Sequence, residues 1–420
     1  MTLLIKNAVV DGKRTDISVS GNKIAAVGPG LPDAGAEKII DCGGHLAATV
    51  PFYNTHTHSA MTLLRGYADD LPLFTWLNEH IWPAEAKLDP HDIYAGTRLG
   101  ILEMIKSGCC YFNEMYFHPA ETIRAAKEMG IRADVGLIHI SVPGSPLDKN
   151  ADQLLEEAEQ LRADPLPETV RLAVAPHAVY TVRESAMRDM VRAAEALGSP
   201  IHIHCSETQR EVEDCRREHD GLSPVAYLHS KGLLRPDTVL AHCVCLDGRD
   251  RELIASTGAV ISHCPVSNLK LCSGMFDFPA AQSAGCKVTI GTDGAASNNA
   301  LSMVEEVKFA ALLAKIRSGD PTAGKDRDML ECATVNGARS AGVDAGIAPG
   351  KTADILLVEL NDSRMVGDYS FTANLVYSAD SSVMHTLICG GRVIMEDHRV
   401  PGEEEIIAEA RECCGKFRRG

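Results

Sequence analysis

Two histidines stand two residues apart in the stretch "THTHSA", His56 and His58, just past the apolar run "HLAATVPFYN". Imidazole nitrogens ligate zinc, iron and related ions. Alternate residues on a strand face the same way, with Cα atoms about 6.6 Å apart, so this pair can grip one ion from a single strand. A metal site needs further donors, and candidates stand far along the chain. They are His204 and Glu207 in "PIHIHCSE", His242 in "TVLAHCV" and Asp293 in "KVTIGTDG", each at the end of a short apolar run. His204 would be the third imidazole and Asp293 would supply a carboxylate oxygen. That set leaves a position for water, as a catalytic zinc requires. His202, in the second pair His202-Ile203-His204, lies a layer deeper and reads as a core histidine. No strand among the middle four ends in a lysine that could bridge two ions, so a single divalent cation is expected. The donor types leave zinc, iron and manganese open.

Donors so far apart in sequence must be delivered by a scaffold, and the chain carries the pattern of one. Short apolar runs recur at residues 108–115, 132–140, 171–178, 200–207, 238–244, 259–265 and 287–294, and the run ending at His58 makes eight. Between them lie segments with apolar residues at three- and four-residue spacing, such as "PAETIRAAKEMG", "ADQLLEEAEQLRA" and "ESAMRDMVRAAEALG". Short buried strands alternating with helices imply a parallel sheet, and eight of them close a (β/α)8 TIM-type barrel. An open doubly wound sheet is the rival, but no glycine-rich phosphate loop follows the first strand. In such a barrel the chemistry gathers at the C-terminal ends of the strands, where His56, His58, His177, His204, His242 and Asp293 all fall. The chain ends read differently. "LLIKNAVVDGKRTDISVSGNKIAAVG", "GKTADILLVEL" and "HTLICGGRVIMEDHRV" are short strands with turn residues between them. The expectation is a small β-sandwich domain formed by both termini: residues 1–49 give its first part, 50–345 the metal-dependent barrel, and 346–420 its second part with a terminal helix.

Composition limits the partners. Hydrophobic residues make up 45% and charged residues 23%, and the formal net charge is -16. A surface that tracks phosphates needs a basic patch, so neither nucleic acid nor an anionic membrane is expected as partner. No transmembrane span or secretory leader is visible. The fourteen cysteines form no paired C-x-x-C sets and read as reduced, buried thiols of a cytoplasmic protein.

The segments "THTHSAMTLLRGYADDLPLFTWL", "HCSET", "AHCV", "SHCPVSNLKLCSG", "TIGTDGAASNN" and "GKTADILLV" together resemble the amidohydrolase superfamily over nearly the whole chain. Within it, they look like the group deaminating 5′-methylthioadenosine, S-adenosylhomocysteine and 5′-deoxyadenosine. The resemblance implies that His56, His58, His204 and Asp293 hold one divalent ion, zinc first. It makes Glu207 the proton shuttle to the adenine ring, His242 the residue orienting the attacking hydroxide, and Asp293 the acceptor of the water proton. It also places Glu85, in "IWPAEAKL", on the ribose hydroxyls and His177, in "APHAVYT", against the nucleoside, beside Glu207 and Asp293. Without the resemblance Glu85 would read as a solvated helix carboxylate. Self-association into a homo-oligomer is implied by the family alone.

One departure stands out. Members that accept S-adenosylhomocysteine can grip its carboxylate with arginines after the third strand, whereas here "HISVPGSPLDKN" has only Lys149 as a cation. A guanidinium fork is missing, which tilts the expectation toward uncharged 5′ groups. Guanine deaminases and triazine hydrolases share the scaffold, but Glu85 with His177 favours a nucleoside. A non-catalytic barrel is disfavoured because all four ligand positions and the shuttle carry suitable residues. His118, His219 and His229 read as surface or packing residues and His263 as a supporting residue near the mouth. "SNLKLCSG" reads as a loop over the site, with Lys270 as a solvated charge.

Overall fold

The computed structural model describes residues 2–367 and 369–417. Residue 1 of the first expected segment, and residues 368 and 418–420 of the last, lie outside it. The chain opens with β1 (Thr2–Val10), β2 (Lys13–Ser20), β3 (Lys23–Gly28), β4 (Lys38–Asp41) and β5 (Leu46–Thr49). The β1–β2 turn uses Asp11 and Gly12, both at positive φ (48° and 75°), as a tight hairpin turn demands. Eight strands follow, interleaved with helices: β6 (Phe52–Thr57), β7 (Cys109–Glu114), β8 (Arg132–His139), β9 (Val170–Pro176), β10 (Ile201–Cys205), β11 (Thr238–His242), β12 (Val260–His263) and β13 (Lys287–Ile290). The chain then returns through β14 (Ile355–Glu359), β15 (Met384–Cys389) and β16 (Arg392–Met395).

The strands of both termini form one sheet in the order β16-β15-β14-β5-β1-β2-β3, with β4 also paired to β1. β5 runs antiparallel to β14 and joins the two ends of the chain. The sheet curls until Ile24 N donates to Lys351 O at 2.9 Å, bringing β3 against the segment leading into β14. Leu3, Ile5, Ile17 and Val19 then bury against Ile355, Leu357 and Ile388 in a core separate from the barrel's.

β6 to β13 are neighbours in sequence order and parallel throughout. Every residue of β6, β7 and β8 is buried, so these strands show no alternation of apolar and polar residues. The three helices singled out from the sequence form at Pro119–Met129, Ala151–Leu161 and Glu184–Leu197. The first and third end on Gly130 and Gly198 in the left-handed conformation. The second begins with a reciprocal Asn150–Gln153 cap.

The barrel closes between β13 and β6 largely through side chains. Asn54 Nδ2 donates to Thr292 Oγ1 at 2.7 Å, Thr55 Oγ1 donates to Ile290 O at 3.1 Å, and one backbone bond, Asp293 N to His56 O at 3.0 Å, completes the seam. The strands approach so closely that a Cβ on Gly291 would lie 2.8 Å from His56 N and 2.7 Å from Ser262 Oγ. At the opposite end of the barrel the buried pair Arg132–Asp354 (2.7 Å), with Tyr53 OH donating to Asp354 at 2.6 Å, fastens the barrel to β14. The terminal helix Glu403–Cys413 packs not on the small sheet but on the barrel helix Pro90–Lys106, through Arg98–Glu409 and Lys106–Glu403 pairs. No helix among the described residues is long and apolar enough to cross a membrane.

Candidate active site

The loops at the C-terminal ends of the barrel strands form one cavity, lined among others by His58, Glu85, His177, His204, Glu207, His242 and Asp293. His56 lies just beneath, fully buried. One ligand atom each from His56, His204, His242 and Asp293 lies within 4.8 Å of the others. His58 Nε2 reaches into the same cluster, 3.2 Å from His204 Nε2 and 3.3 Å from Asp293 Oδ1. Five side chains from β6, β10, β11 and the end of β13 thus meet at one point.

The outer nitrogens fix how the rings face. His58 Nδ1 donates to Met115 O at 2.6 Å and His204 Nδ1 to His177 O at 2.7 Å, so each turns a bare Nε2 lone pair inward. His56 Nδ1 pairs with His202 Nε2 at 2.8 Å. His56 Nε2 itself is buried with no hydrogen-bond partner, 3.3 Å from Asp293 Oδ1. Such an orphaned buried nitrogen fits a place among the ligands of a metal ion. Burial drives the rings toward neutrality, His56 down to about 3 and His58 and His204 also downward. Burial alone would push the Asp293 carboxyl up. The imidazoles of His56, His242 and His58 crowded against it instead hold it well below the usual carboxylate range. Neutral imidazoles with one carboxylate are the donor set of a divalent ion with an open position.

Asp293 is in the left-handed region (φ 61°), as is His242 (φ 72°), conformations disfavoured for side-chain-bearing residues that cluster at functional sites. Asp293 Oδ2 accepts from Ser267 Oγ at 2.6 Å and from Ser297 Oγ at 2.9 Å, which leaves Oδ1 for the imidazoles. Asn268 Nδ2 donates to His242 Nδ1 at 2.9 Å. With Asn268 as donor the His242 proton would sit on Nε2, 3.8 Å from Glu207 Oε2.

Glu207 follows β10 by two residues. Its Oε1 accepts from Ser273 Oγ at 2.8 Å, and the Glu211 carboxylate accepts the backbone N–H groups of Ser206 (2.9 Å) and Glu207 (2.7 Å). Burial pushes the Glu207 carboxyl up, against the opposing charge of His242. Two acids in one cavity are therefore driven apart, Asp293 toward the ionised form and Glu207 toward the protonated one.

Glu85 is not a solvated carboxylate. It ends a helical stretch, Leu73–Glu85, whose middle turns at Trp76–Ile81 are π-helical, a winding frequent at functional sites. That stretch crosses the mouth and buries Glu85, whose Oε1 accepts from Tyr116 OH at 2.6 Å and whose carboxyl burial lifts to about 7. The His177 ring lies 4.7 Å from that of His204, tilted 60° to it, and hydrogen-bonds Thr181 Oγ1 at 2.9 Å. His202 is buried as expected, but it touches His56 and leaves its own Nδ1 unpartnered. His263 is buried against Phe276 and lies outside the cavity lining. Lys270 is not a free charge: it ties Asp69 and Asn299 across two loops. His219 stacks on Tyr227. Ser267, Asn268 and Ser273 come from the "SNLKLCSG" motif, which sequence reading treated only as a loop; nothing in their spacing marks them.

A model of the Amidohydrolase family matches residues 49–394. The chain is 41% identical to a 5′-deoxyadenosine deaminase of Methanothermobacter thermautotrophicus, over 94% of this chain and 92% of that protein. It is 42% identical to a 5-methylthioadenosine/S-adenosylhomocysteine deaminase 1 of Archaeoglobus fulgidus, over 98% of each. Among solved structures, an adenosine deaminase from Xanthomonas campestris with bound zinc superposes with a TM-score of 0.92 at 34% identity, covering 99% of this chain and 98% of that one.

Proposed function

The chain belongs to the amidohydrolase family, and from that premise we propose that it hydrolytically deaminates adenosine-type nucleosides to the inosine analogue and ammonia. The substrates proposed are 5′-deoxyadenosine, 5′-methylthioadenosine and S-adenosylhomocysteine, with adenosine itself less favoured. The observation that carries the reading is the convergence of His56, His58, His204, His242 and Asp293 at one point, with Glu207 beside His242 and Glu85 and His177 on the same walls.

His56, His58, His204 and Asp293 would hold one divalent ion, zinc first; His242 stays out because Asn268 makes its inward nitrogen a donor. An ion held there would lower the pKa of water from 15.7 to about 7 and so would supply hydroxide as the nucleophile. Asp293 accepts the water proton on Oδ1, since two serine hydroxyls already occupy Oδ2. His242 Nε2 orients the attacking oxygen. Glu207, whose carboxyl burial pushes up and which Ser273 and Glu211 position, gives its proton to the ring nitrogen beside the attacked carbon 6. The proton taken up by Asp293 then goes to the departing amine and the adduct's hydroxyl proton returns to Glu207, so ammonia leaves, the carbonyl forms and both carboxyls regain their starting states. Glu85, steadied by Tyr116, accepts from the ribose hydroxyls, and His177 contacts the nucleoside. The cysteines, mostly buried thiols, support a cytoplasmic location, and self-association belongs to the same proposal.

A panel of 5′-deoxyadenosine, 5′-methylthioadenosine, S-adenosylhomocysteine, adenosine and guanine, followed by ultraviolet absorbance and ammonia release, tests this reading. Turnover of the adenine nucleosides is expected. Guanine as the preferred substrate, or turnover undiminished after chelation and dialysis, would overturn it.

A further inference from the structure

Past Glu85 the cavity of the histidine cluster adjoins a second one of about 1100 Å³. The two share Trp82, Glu85, Phe117, Ile138, Ile140 and Tyr180, so a ligand anchored at the histidines can extend into both. The second chamber lies beneath the loop after β8 and is walled mainly by carbon. Trp82 and Phe117 stand on one side, and Ile138, Ile140, Val142 and Leu147 come from β8 and its loop. At the rim Val142 is left 54% exposed, an apolar side chain facing water with nothing over it.

The chamber carries one lysine and no arginine. Lys149 Nζ stands 2.7 Å from Glu157, with side-chain exposures of only 18% and 22%. The lysine is thus already neutralised inside the chamber. A charged tail entering here has to part that pair and leave one partner without its counter-charge, which is unfavourable at a half-buried site. An apolar chain meets no such penalty and gains by leaving water. The volume is that of pockets which hold entire small molecules, far beyond the needs of a methyl or methylthio group.

We propose, resting on the nucleoside reading above, that this chamber is a subsite for the 5′ substituent and selects uncharged apolar chains several carbons long. The test is steady-state kinetics on 5′-deoxyadenosine, on 5′-S-methyl-, 5′-S-butyl- and 5′-S-hexyl-5′-thioadenosine, and on S-adenosylhomocysteine. Each methylene that is buried strengthens binding about threefold to fourfold. KM is therefore expected to fall at least tenfold from the methyl to the hexyl compound, with kcat nearly constant. S-adenosylhomocysteine is expected to trail the butyl compound in kcat/KM. In Val142→Asp or Leu147→Asp the hexyl compound should lose its advantage over the methyl one. Turnover of 5′-deoxyadenosine with KM flat or rising along the series overturns the subsite and leaves the deaminase reading standing. So does S-adenosylhomocysteine as the best substrate, with that preference lost in Lys149→Met. If no nucleoside is turned over at all, both readings fall together.

Discussion

Asp293 divides its two oxygens between tasks: Oδ2 takes the Ser267 and Ser297 hydroxyls and Oδ1 faces His56 and His58. Groups that orient a metal ligand are typically worth about 10- to 100-fold in metal affinity. The double variant Ser267→Ala/Ser297→Ala is therefore expected to lose metal affinity by about that factor in chelator competition, while the melting temperature of the metal-free protein barely moves. Glu207→Gln should behave oppositely. Metal content stays at the wild-type level by atomic absorption, and kcat falls by about 10² to 10⁴, the usual worth of a general acid. His56, His58, His204, His242 and Asp293 were legible because a strand has a period of two and a barrel gathers its chemistry at strand ends. Ser267, Ser297, Asn268 and Ser273 were not legible. They meet their partners only once the helix after β12 and the loop after β13 have folded over the mouth, and no local pattern encodes that meeting. Glu85 shows the same limit. A carboxylate in a helical segment reads as solvated until Tyr116, distant in sequence, is found beside it.

The elements that position these residues were legible where a periodicity or a cap announced them. The eight barrel strands appeared as apolar runs because both faces are covered, and the helices 119–129 and 184–197 announced their ends through Gly130 and Gly198. The π-helical turns at Trp76–Ile81 had no such signal, since a one-residue widening of a helix changes the spacing of its apolar face only locally. Nor did the seam between β13 and β6, which depends on side-chain bonds and on close approach at Gly291. Gly291→Ala tests that seam. Its Cβ would press on His56 N at 2.8 Å and His56 Cβ at 2.9 Å, backbone and side chain of a proposed ligand. Overpacking of this kind destabilises by about 1–3 kcal/mol. Denaturant unfolding should register that loss, and metal affinity should drop with it because His56 is displaced.

For the whole molecule, buried titratable groups set the pH range of stability. Burial lowers His56, His177 and His263 to about 3, and raises Glu85, Glu114 and Glu211 to about 7. The histidines are charged when unfolded below their ordinary value of 6.5 but neutral when folded, so their contribution is lost as pH falls toward 3. The carboxyls keep their protons when folded up to about 7 but shed them near 4.5 when unfolded, so stability declines as pH rises through that window. The two trends oppose one another between 4.5 and 6.5, and only the histidines act below it. Melting temperatures of the metal-free protein should be nearly level from pH 5 to 6.5 and drop steeply toward pH 3; a steady rise across the upper range would contradict this balance.

The pairing of β5 with β14, Thr49 against Leu356, has a consequence for biosynthesis. A ribosome must add the whole barrel before β5 meets its neighbour. At typical elongation rates of about 5–20 residues per second, the first strands wait on the order of tens of seconds with a bare edge. That interval is when the nascent chain is most open to aggregation, and a pause late in translation would lengthen it.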